Sequence, residues 1–369
     1  EQLVAMYDAG MVMYVGDIPM SLRKDSSLAA DAKVAETSLS STVFYFNQNA
    51  KIKDGTEEGS ALFADVKVRQ ALSMAVDRAA LADAIVYAQA ATGYVPTGVF
   101  DTDRKTTFRS ACTATYDYLK TDASAAASLL SEAGVTPSKY TFSLTYAAYD
   151  EVHAFIAETV AAAWQELGFK VEPKPRNTIV NNDFYKYTNS IPEDICDDLY
   201  AQDLRLGDFE VILLDSVAYS ADAYSMLASF AKPFSGQAMD MSDTDNYQLT
   251  PHITGYDSEK YNNIMEAVYF LQYYSKFNSP NGVLATTYFN QYESTEMNAA
   301  AEKAMYDTIT AVYTEYGVAT DAKSYKASRA ALLRAAEAVL MEEMAVVPVV
   351  FNFEATVTSS DVKGISGTY

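Results

Sequence analysis

The sequence predicts an α/β fold in which a mixed or parallel sheet is flanked by helices, and three observations carry that reading. From Tyr140 to Val171, alternation of Phe142, Leu144 and Tyr146 gives a strand. Val152, Phe155, Ile156, Thr159, Val160, Ala163, Trp164 and Leu167 then recur at helical spacing, and after Gly168 a second strand starts at Phe169–Glu172. Such a unit is a β-α-β crossover, expected to be right-handed in a mainly parallel sheet. The run FEVILL, Phe209 to Leu214, is apolar on both faces and reads as a central strand covered on both sides. Finally, 49% hydrophobic residues in a chain of 369 suffice to bury one large or two medium cores.

At the amino end, Leu3, Val4, Met6 and Tyr7 give a short amphipathic helix, stopped by Gly10 and followed by a strand from Val12 to Val15. SSTVFYFNQN then supplies a strand. Asp65 stands where an N-cap acceptor satisfies free amides, and Val68, Ala71, Leu72, Ala75 and Val76 form the stripe of the helix it opens. Asp77 caps a second helix, with Leu81, Ala84, Ile85 and Ala88 as its stripe. Asp122 caps and Gly134 ends the next helix. After the β-α-β unit and the central strand comes the loop DSVAYSADAYSML, Asp215 to Leu227, in the position beyond a strand's carboxyl end where open α/β sheets gather ligands. A helix is expected from Gly255 to Val268. Leu332, Leu333, Ala336, Val339, Leu340 and Met344 mark a last helix, and Val346 to Phe351 a last strand.

Charge and motif content narrow the chemistry. Lys and Arg number 27 against 49 Asp and Glu, a formal net charge of -22, so the field around the chain repels nucleic acid and anionic lipid. The nucleophile elbow, the phosphate-binding P-loop, the HExxH helix and the dinucleotide fingerprint are all absent, and the chain is expected not to be an enzyme. With only His153 and His252, no zinc or nickel site built from side chains is expected and no cofactor is implied. Acidic clusters at Glu193, Asp194, Asp197 and Asp198 and at Asp240, Asp243 and Asp245 lack the spacing of a calcium loop and read as solvated charge. Cys112 and Cys196 fit either one disulfide or two free thiols. The 28 tyrosines against one tryptophan suit ligand-cleft walls, and equally the edge of a core.

In this fixed order the segments resemble family 5 of the extracellular solute-binding proteins. The opening helix and strand resemble the family's completion of its first lobe, and SSTVFYFNQN its strand ending in Phe-Asn, here Phe46 and Asn47. VRQALSMAVDRAALADAIV resembles its helix pair. YVPTGVF resembles its Val-Pro-Pro-Gly turn with Thr97 in place of the second proline, and SRAALLRAAEAVLMEEMAVVPVVFNFEATV its final helix and returning strand. The resemblance implies a periplasmic-binding-protein-like class II bilobal fold, represented mainly by its C-terminal lobe. Residues 1–48 would end the N-terminal lobe, 49–346 form the C-terminal lobe with a Tyr-rich insertion at about 269–316, and 347–369 return to the first lobe. A large N-terminal portion is then expected to precede the chain. Two crossings between lobes, at Phe46 and Asn47 and at Pro348, would act as hinges.

The implied ligand site is Asp215, Ser216, Val217, Tyr219 and Asp222. Aligned without gaps to the family's Gly-Trp-Gly-Ala-Asp-Tyr-Pro-Asp-Pro loop, Asp215 and Ser216 take the Gly and Trp places, and Asp222 the second aspartate. Tyr219 replaces the first aspartate, which pairs with the α-amino group in peptide-binding members. Three readings stay open: Asp215 takes over that role, Tyr219 stacks on a sugar or aromatic solute, or the loop is a structural turn with Asp222 capping a helix from Ala223 to Phe230. The function implied is the substrate-binding component of an ABC importer, a monomer that captures peptides or related small solutes between two lobes and delivers them to a membrane permease. It would work on the extracellular or periplasmic side, lipid-anchored in the full-length protein. An oligosaccharide receptor of the same family and a surface adhesion module without transport are the alternatives.

Overall fold

Among the described residues two sheets organise the chain, and the larger is built around one strand that is apolar on both sides. The computed structural model describes residues 2–24, 26–103, 105–176, 199–231, 254–277, 311, 314–315, 325–360 and 362. A three-stranded sheet places β9 (Ala355–Thr358) between β1 (Tyr14–Val15) and β2 (Lys33–Val34), antiparallel to both. The six-stranded sheet runs in the order β4 (Ala88–Ala90), β8 (Val346–Asn352), β3 (Ser40–Phe46), β7 (Val211–Val217), β5 (Thr141–Ala147), β6 (Lys170–Arg176).

The predicted crossover is present: β5 and β6 pair in parallel, joined by helix α7 (Glu151–Glu166), and β7 lies parallel to β5 on its other side. The sheet is mixed rather than mainly parallel, because β3 runs antiparallel to both β7 and β8, and β4 antiparallel to β8. Alternation along β3 divides the core into two layers. Phe44 and Phe46 face α7, their ring centroids 5.3 and 5.9 Å from that of Trp164, while Tyr45 points the other way onto Phe230 at 5.8 Å. Trp164 is fully buried and its indole N–H donates to the Leu72 carbonyl at 2.8 Å.

Predicted capping is found at each site. Asp65 accepts from Lys67 N at the start of α3 (Val66–Met74), Asp77 from Ala80 N at α4 (Arg78–Ile85), and Asp122 from Ala125 N at α6 (Ala123–Glu132). Three readings need correction. Helix α4 ends at Ile85, where Val86 turns to φ 73°, so Ala88 opens strand β4 instead of continuing the helical stripe. The buried face of α7 is His153, Ile156, Ala157, Val160, Ala161 and Trp164, rotated from the predicted stripe so that Val152 and Phe155 are only partly covered. Helix α10 (Glu259–Phe277) runs past Val268 into the Tyr-rich stretch. Most of that stretch, like both acidic clusters and Cys196, lies outside the described residues.

The opposite layer is fastened by one buried carboxylate. Glu337, on helix α11 (Tyr325–Glu342), has a side chain with no solvent exposure. Its Oε1 accepts from Tyr94 N at 2.9 Å and Val95 N at 2.8 Å and pairs with the Arg109 guanidinium. Its Oε2 accepts from the Tyr116 hydroxyl at 2.9 Å. Burial alone would lower the Arg109 pKa, but the Glu337 charge and hydrogen bond outweigh it and leave the guanidinium more firmly protonated than usual. Replacing Glu337 by Ala leaves a buried cation and two backbone donors without partners, a loss expected to be about 3–5 kcal/mol. Urea unfolding followed by emission of Trp164 reads it directly; a loss below about 1 kcal/mol contradicts this account.

Candidate functional site

Strand direction brings four chain segments to one edge of the large sheet. The carboxyl ends of β5, β7 and β8 lie there, and antiparallel β3 enters at the same edge, with Thr42 opposite Asp215 and Ser40 opposite both Val217 and Asn352. The loop after β5 contributes Tyr149 and Asp150. Asp150 is the N-cap of α7, its Oδ1 accepting from Val152 N at 2.8 Å and His153 N at 3.0 Å. That turn aims His153, the first residue of the buried α7 face, at Asp215. The same helix face that packs Trp164 against Phe44 and Phe46 thus ends in a polar cluster beside Thr42.

Asp215 is well partnered and still partly open. Its Oδ1 accepts from Thr42 Oγ1 at 2.5 Å and from Asn352 Nδ2 at 3.2 Å, and His153 Nε2 lies 3.3 Å away; 36% of the side chain stays exposed. Burial would raise the carboxyl pKa, but His153 and then the Thr42 and Asn352 donors outweigh it and hold the group below the usual carboxylate range. His153 responds in the opposite sense. Burial pulls its pKa down, and Asp215, with Asp150 behind it, raises it above the ordinary imidazole value.

The other expected ligand residues divide into inward and outward groups. Ser216 points into the core, its Oγ 2.5 Å from the hydroxyl of buried Tyr94. Val217 and Tyr219 point outward, at 48% and 94% exposed, and with Leu39 and Tyr149 they give this edge an apolar rim. Asp222 is structural: its Oδ1 accepts from Tyr224 N at 3.0 Å at the start of α9 (Tyr224–Leu227), and its carboxylate pairs with Arg329 at 3.0 Å. The helical turn is shorter than the predicted Ala223 to Phe230, because a 3-10 turn takes over at Ala228. The loop from Tyr94 to Phe100 closes one side. Thr97 Oγ1 accepts from Ser38 N, Gly98 N donates to Ser38 O at 2.6 Å, and Phe100 N donates to Ala221 O at 2.9 Å. A Cβ on Gly98 would sit 2.7 Å from Ser38 O, so only glycine fits that approach.

Of the three residues read as hinges, Phe46 and Pro348 lie inside the large sheet and Asn47 follows directly on β3. Phe46 is buried against Phe63, Asn47 donates to the Gly207 and Phe209 carbonyls at 3.1 Å, and Pro348 pairs with Val43 while its carbonyl accepts from Arg78 Nε at 2.7 Å. The chain passes between the sheets elsewhere, between Val34 and Ser40 and between Asn352 and Ala355, where Ala35 N donates to Glu354 O at 2.8 Å. Both passages adjoin the Asp215 edge. Cys112 lies with its Sγ 3.4 Å from the Tyr116 hydroxyl. A concavity of about 730 Å³ at the opposite end of the sheet involves Arg69, Tyr256, Ser258 and Glu343, whose buried polar groups largely satisfy one another.

Sequence reasoning missed Thr42, His153 and Asn352 as members of the cluster. His153 left a trace, a polar residue at i, i+3, i+7 and i+11 with Ile156, Val160 and Trp164. Thr42 and Asn352 left none, since only strand pairing brings them to Asp215.

A sequence model of the bacterial extracellular solute-binding proteins, family 5 Middle, matches residues 1–238. The fold resembles the oligopeptide ABC transporter substrate-binding domain from Bacillus anthracis str. Ames, at 16% identity and a TM-score of 0.60, over 98% of this chain and 53% of that one. It also resembles Haemophilus influenzae OppA in complex with RPPGFSPFR, at 18% identity and 0.59, over 99% and 53%. A third likeness is to the periplasmic binding protein DppA from Helicobacter pylori in complex with peptide STSA, at 14% identity and 0.59, over 100% and 52%. The chain thus spans about half the length of these structures. No curated protein matches the sequence.

The two outward and structural roles separate in stability. Asp222→Ala, which removes a cap and the Arg329 pair, is expected to cost about 1 kcal/mol, and Tyr219→Ala to stay within about 0.5 kcal/mol of the parent in urea unfolding. Equal losses would contradict the division.

Proposed function

Because the chain belongs to the bacterial extracellular solute-binding proteins of family 5, we propose that it supplies one wall of a cleft that captures peptides or related small solutes for an ABC permease. Members of this family act outside the cytoplasm, and no helix among the described residues is long and apolar enough to cross a membrane. The observation that carries the reading is the edge at Asp215. An ionised, partly open carboxylate there shares its edge of the sheet with the exposed Leu39, Tyr149, Val217 and almost wholly exposed Tyr219, at the carboxyl ends of parallel strands.

In this reading grip comes from flat apolar area. Tyr219 stands where peptide-binding members carry an acid, so the solute meets an aromatic face, while Asp215 is held by Thr42, Asn352 and His153. The first lobe closes from the side of the three-stranded sheet. Residues 35–39 and 353–354, where the chain leaves one sheet for the other, absorb the motion, because they lie outside the strand ladders that hold Phe46 and Pro348. Monomeric action with no chemical step follows from capture by shape.

An exposed aromatic platform also suits oligosaccharides, and one screen separates the two solute classes. Thermal shift with short peptides of varied sequence and with oligosaccharides is expected to show a concentration-dependent rise in Tm with peptides, since only native-state binding raises it. Tyr219→Ala should weaken the best peptide at least tenfold, with the free protein's Tm unchanged. Stabilisation by sugars alone would replace peptides with sugars as the solute; no stabilisation by either, or a Tyr219→Ala variant with parent affinity, would remove this edge from the function.

A further inference from the structure

His153 is the most anomalous side chain at the Asp215 edge. It is only 5% exposed, yet neither ring nitrogen makes a hydrogen bond among the described residues. A buried imidazole normally finds partners for both nitrogens, because one is a donor and the other an acceptor. Asp215 Oδ1 stands 3.3 Å from Nε2, but off the line of a hydrogen bond. That distance has another meaning. Two ligands about 2.0–2.1 Å from one tetrahedral ion stand about 3.3–3.4 Å apart.

A third donor is in place. Asp150, His153 and Asp215 each bring a ligand atom to within 4.8 Å of the other two. Asp150 spends Oδ1 on the first amides of α7, and a carboxylate has a second oxygen. Asp215 is oriented by Thr42 Oγ1, which itself accepts from Asn352 Nδ2 at 2.5 Å, and outer hydrogen bonds of this kind are what metal-ligating carboxylates carry.

We propose that Asp150, His153 and Asp215 form a site for a divalent transition-metal ion of the zinc class, open to the cleft through the exposed part of Asp215. An imidazole with two carboxylates selects zinc, cobalt or nickel over magnesium or calcium, which prefer all-oxygen shells. Three protein ligands leave a fourth position for water or for a donor atom of the solute. Scarcity of histidine in the sequence argued against such a site; the fold brings Asp150 and His153, at the start of α7, to Asp215 on β7, which sequence separation keeps apart. The inference does not depend on the nature of the solute, because the ion is measured without one.

The test uses the whole protein, stripped of metal by a chelator, with Zn2+, Co2+ and Mg2+ as probes. Zn2+ is expected to raise Tm at micromolar concentration and Mg2+ to leave it unchanged, while Co2+ develops the visible absorption of a low-symmetry, near-tetrahedral site. His153→Gln should weaken Zn2+ at least tenfold in calorimetry. Asp150→Ser, which keeps a capping hydroxyl for α7 and removes the carboxylate, should do the same and covers the case in which the histidine variant fails to fold. No Zn2+ response in the parent, or an equal response in parent and Asp150→Ser, overturns the proposal and assigns any bound ion to the acidic surface.

Discussion

The buried carboxylate of Glu337 is the constraint on which the site depends. A charge without solvent contact survives only when its lone pairs are filled, and here two backbone amides, a guanidinium and a phenol fill them. The consequence is positional. By holding Tyr94 N, Glu337 fixes a residue whose carbonyl accepts from Ser41 Oγ at 2.7 Å and whose hydroxyl reaches Ser216. A helix near the carboxyl end of the chain thereby sets the loop from Tyr94 to Phe100, the start of β3 and the end of β7, three of the walls around Asp215. Nearby, α11 adds Arg329 on Asp222 and Arg334 on Asp101, which seat the same loops from the outside.

The second organising device is a helix face that changes character along its length. Three turns of α7 separate His153 from Trp164, and both ends touch the even-numbered face of the sheet around β3. At the Trp164 end the neighbours are Phe44, Phe46 and Phe142, which exclude water and hold the helix rigid. At the His153 end they are Thr42, Asp215 and Asn352. Packing that stabilises the chain and the polar groups at the Asp215 edge are therefore parts of one surface, and the rigid end orients the polar end.

Most elements are legible from local signals along the chain, because caps and apolar periods are local chemistry. Asp65, Asp77 and Asp122 each cap as their positions suggest, and the β-α-β unit is recognisable from Phe142 to Val171. Non-local pairing was invisible. The antiparallel insertion of β3 between β7 and β8 joins residues hundreds apart, and nothing in SSTVFYFNQN shows which neighbours it takes. The residues expected as hinges show the same dependence: Phe46 and Pro348 are paired inside the large sheet and Asn47 follows directly on β3, neighbours that only the strand register supplies. In the candidate site, Asp215, Val217 and Tyr219 were named from a loop expected after a central strand ending at Leu214, whereas β7 runs on through Val217 and carries the first two. Ser216 and Asp222 were named from the same loop, but their inward and capping roles needed coordinates, and Thr42, His153 and Asn352 needed the sheet.

Two ends of one sheet thus present different chemistry. At the far end, Arg69 donates to the carbonyls of Phe63, Ala64, Glu343 and Met344, and Glu343 accepts from Tyr256 and Ser258, so the buried groups are absorbed into structure. At the Asp215 end, charge, aromatic area and both chain passages converge. Amide hydrogen exchange, read with and without a solute that stabilises the protein, tests this assignment most directly. The account predicts that added protection concentrates in residues 35–42, 148–153 and 215–222, with the segment around Arg69 and Tyr256 unchanged. Protection centred on Arg69 and Tyr256, with the Asp215 edge exchanging as before, would contradict it.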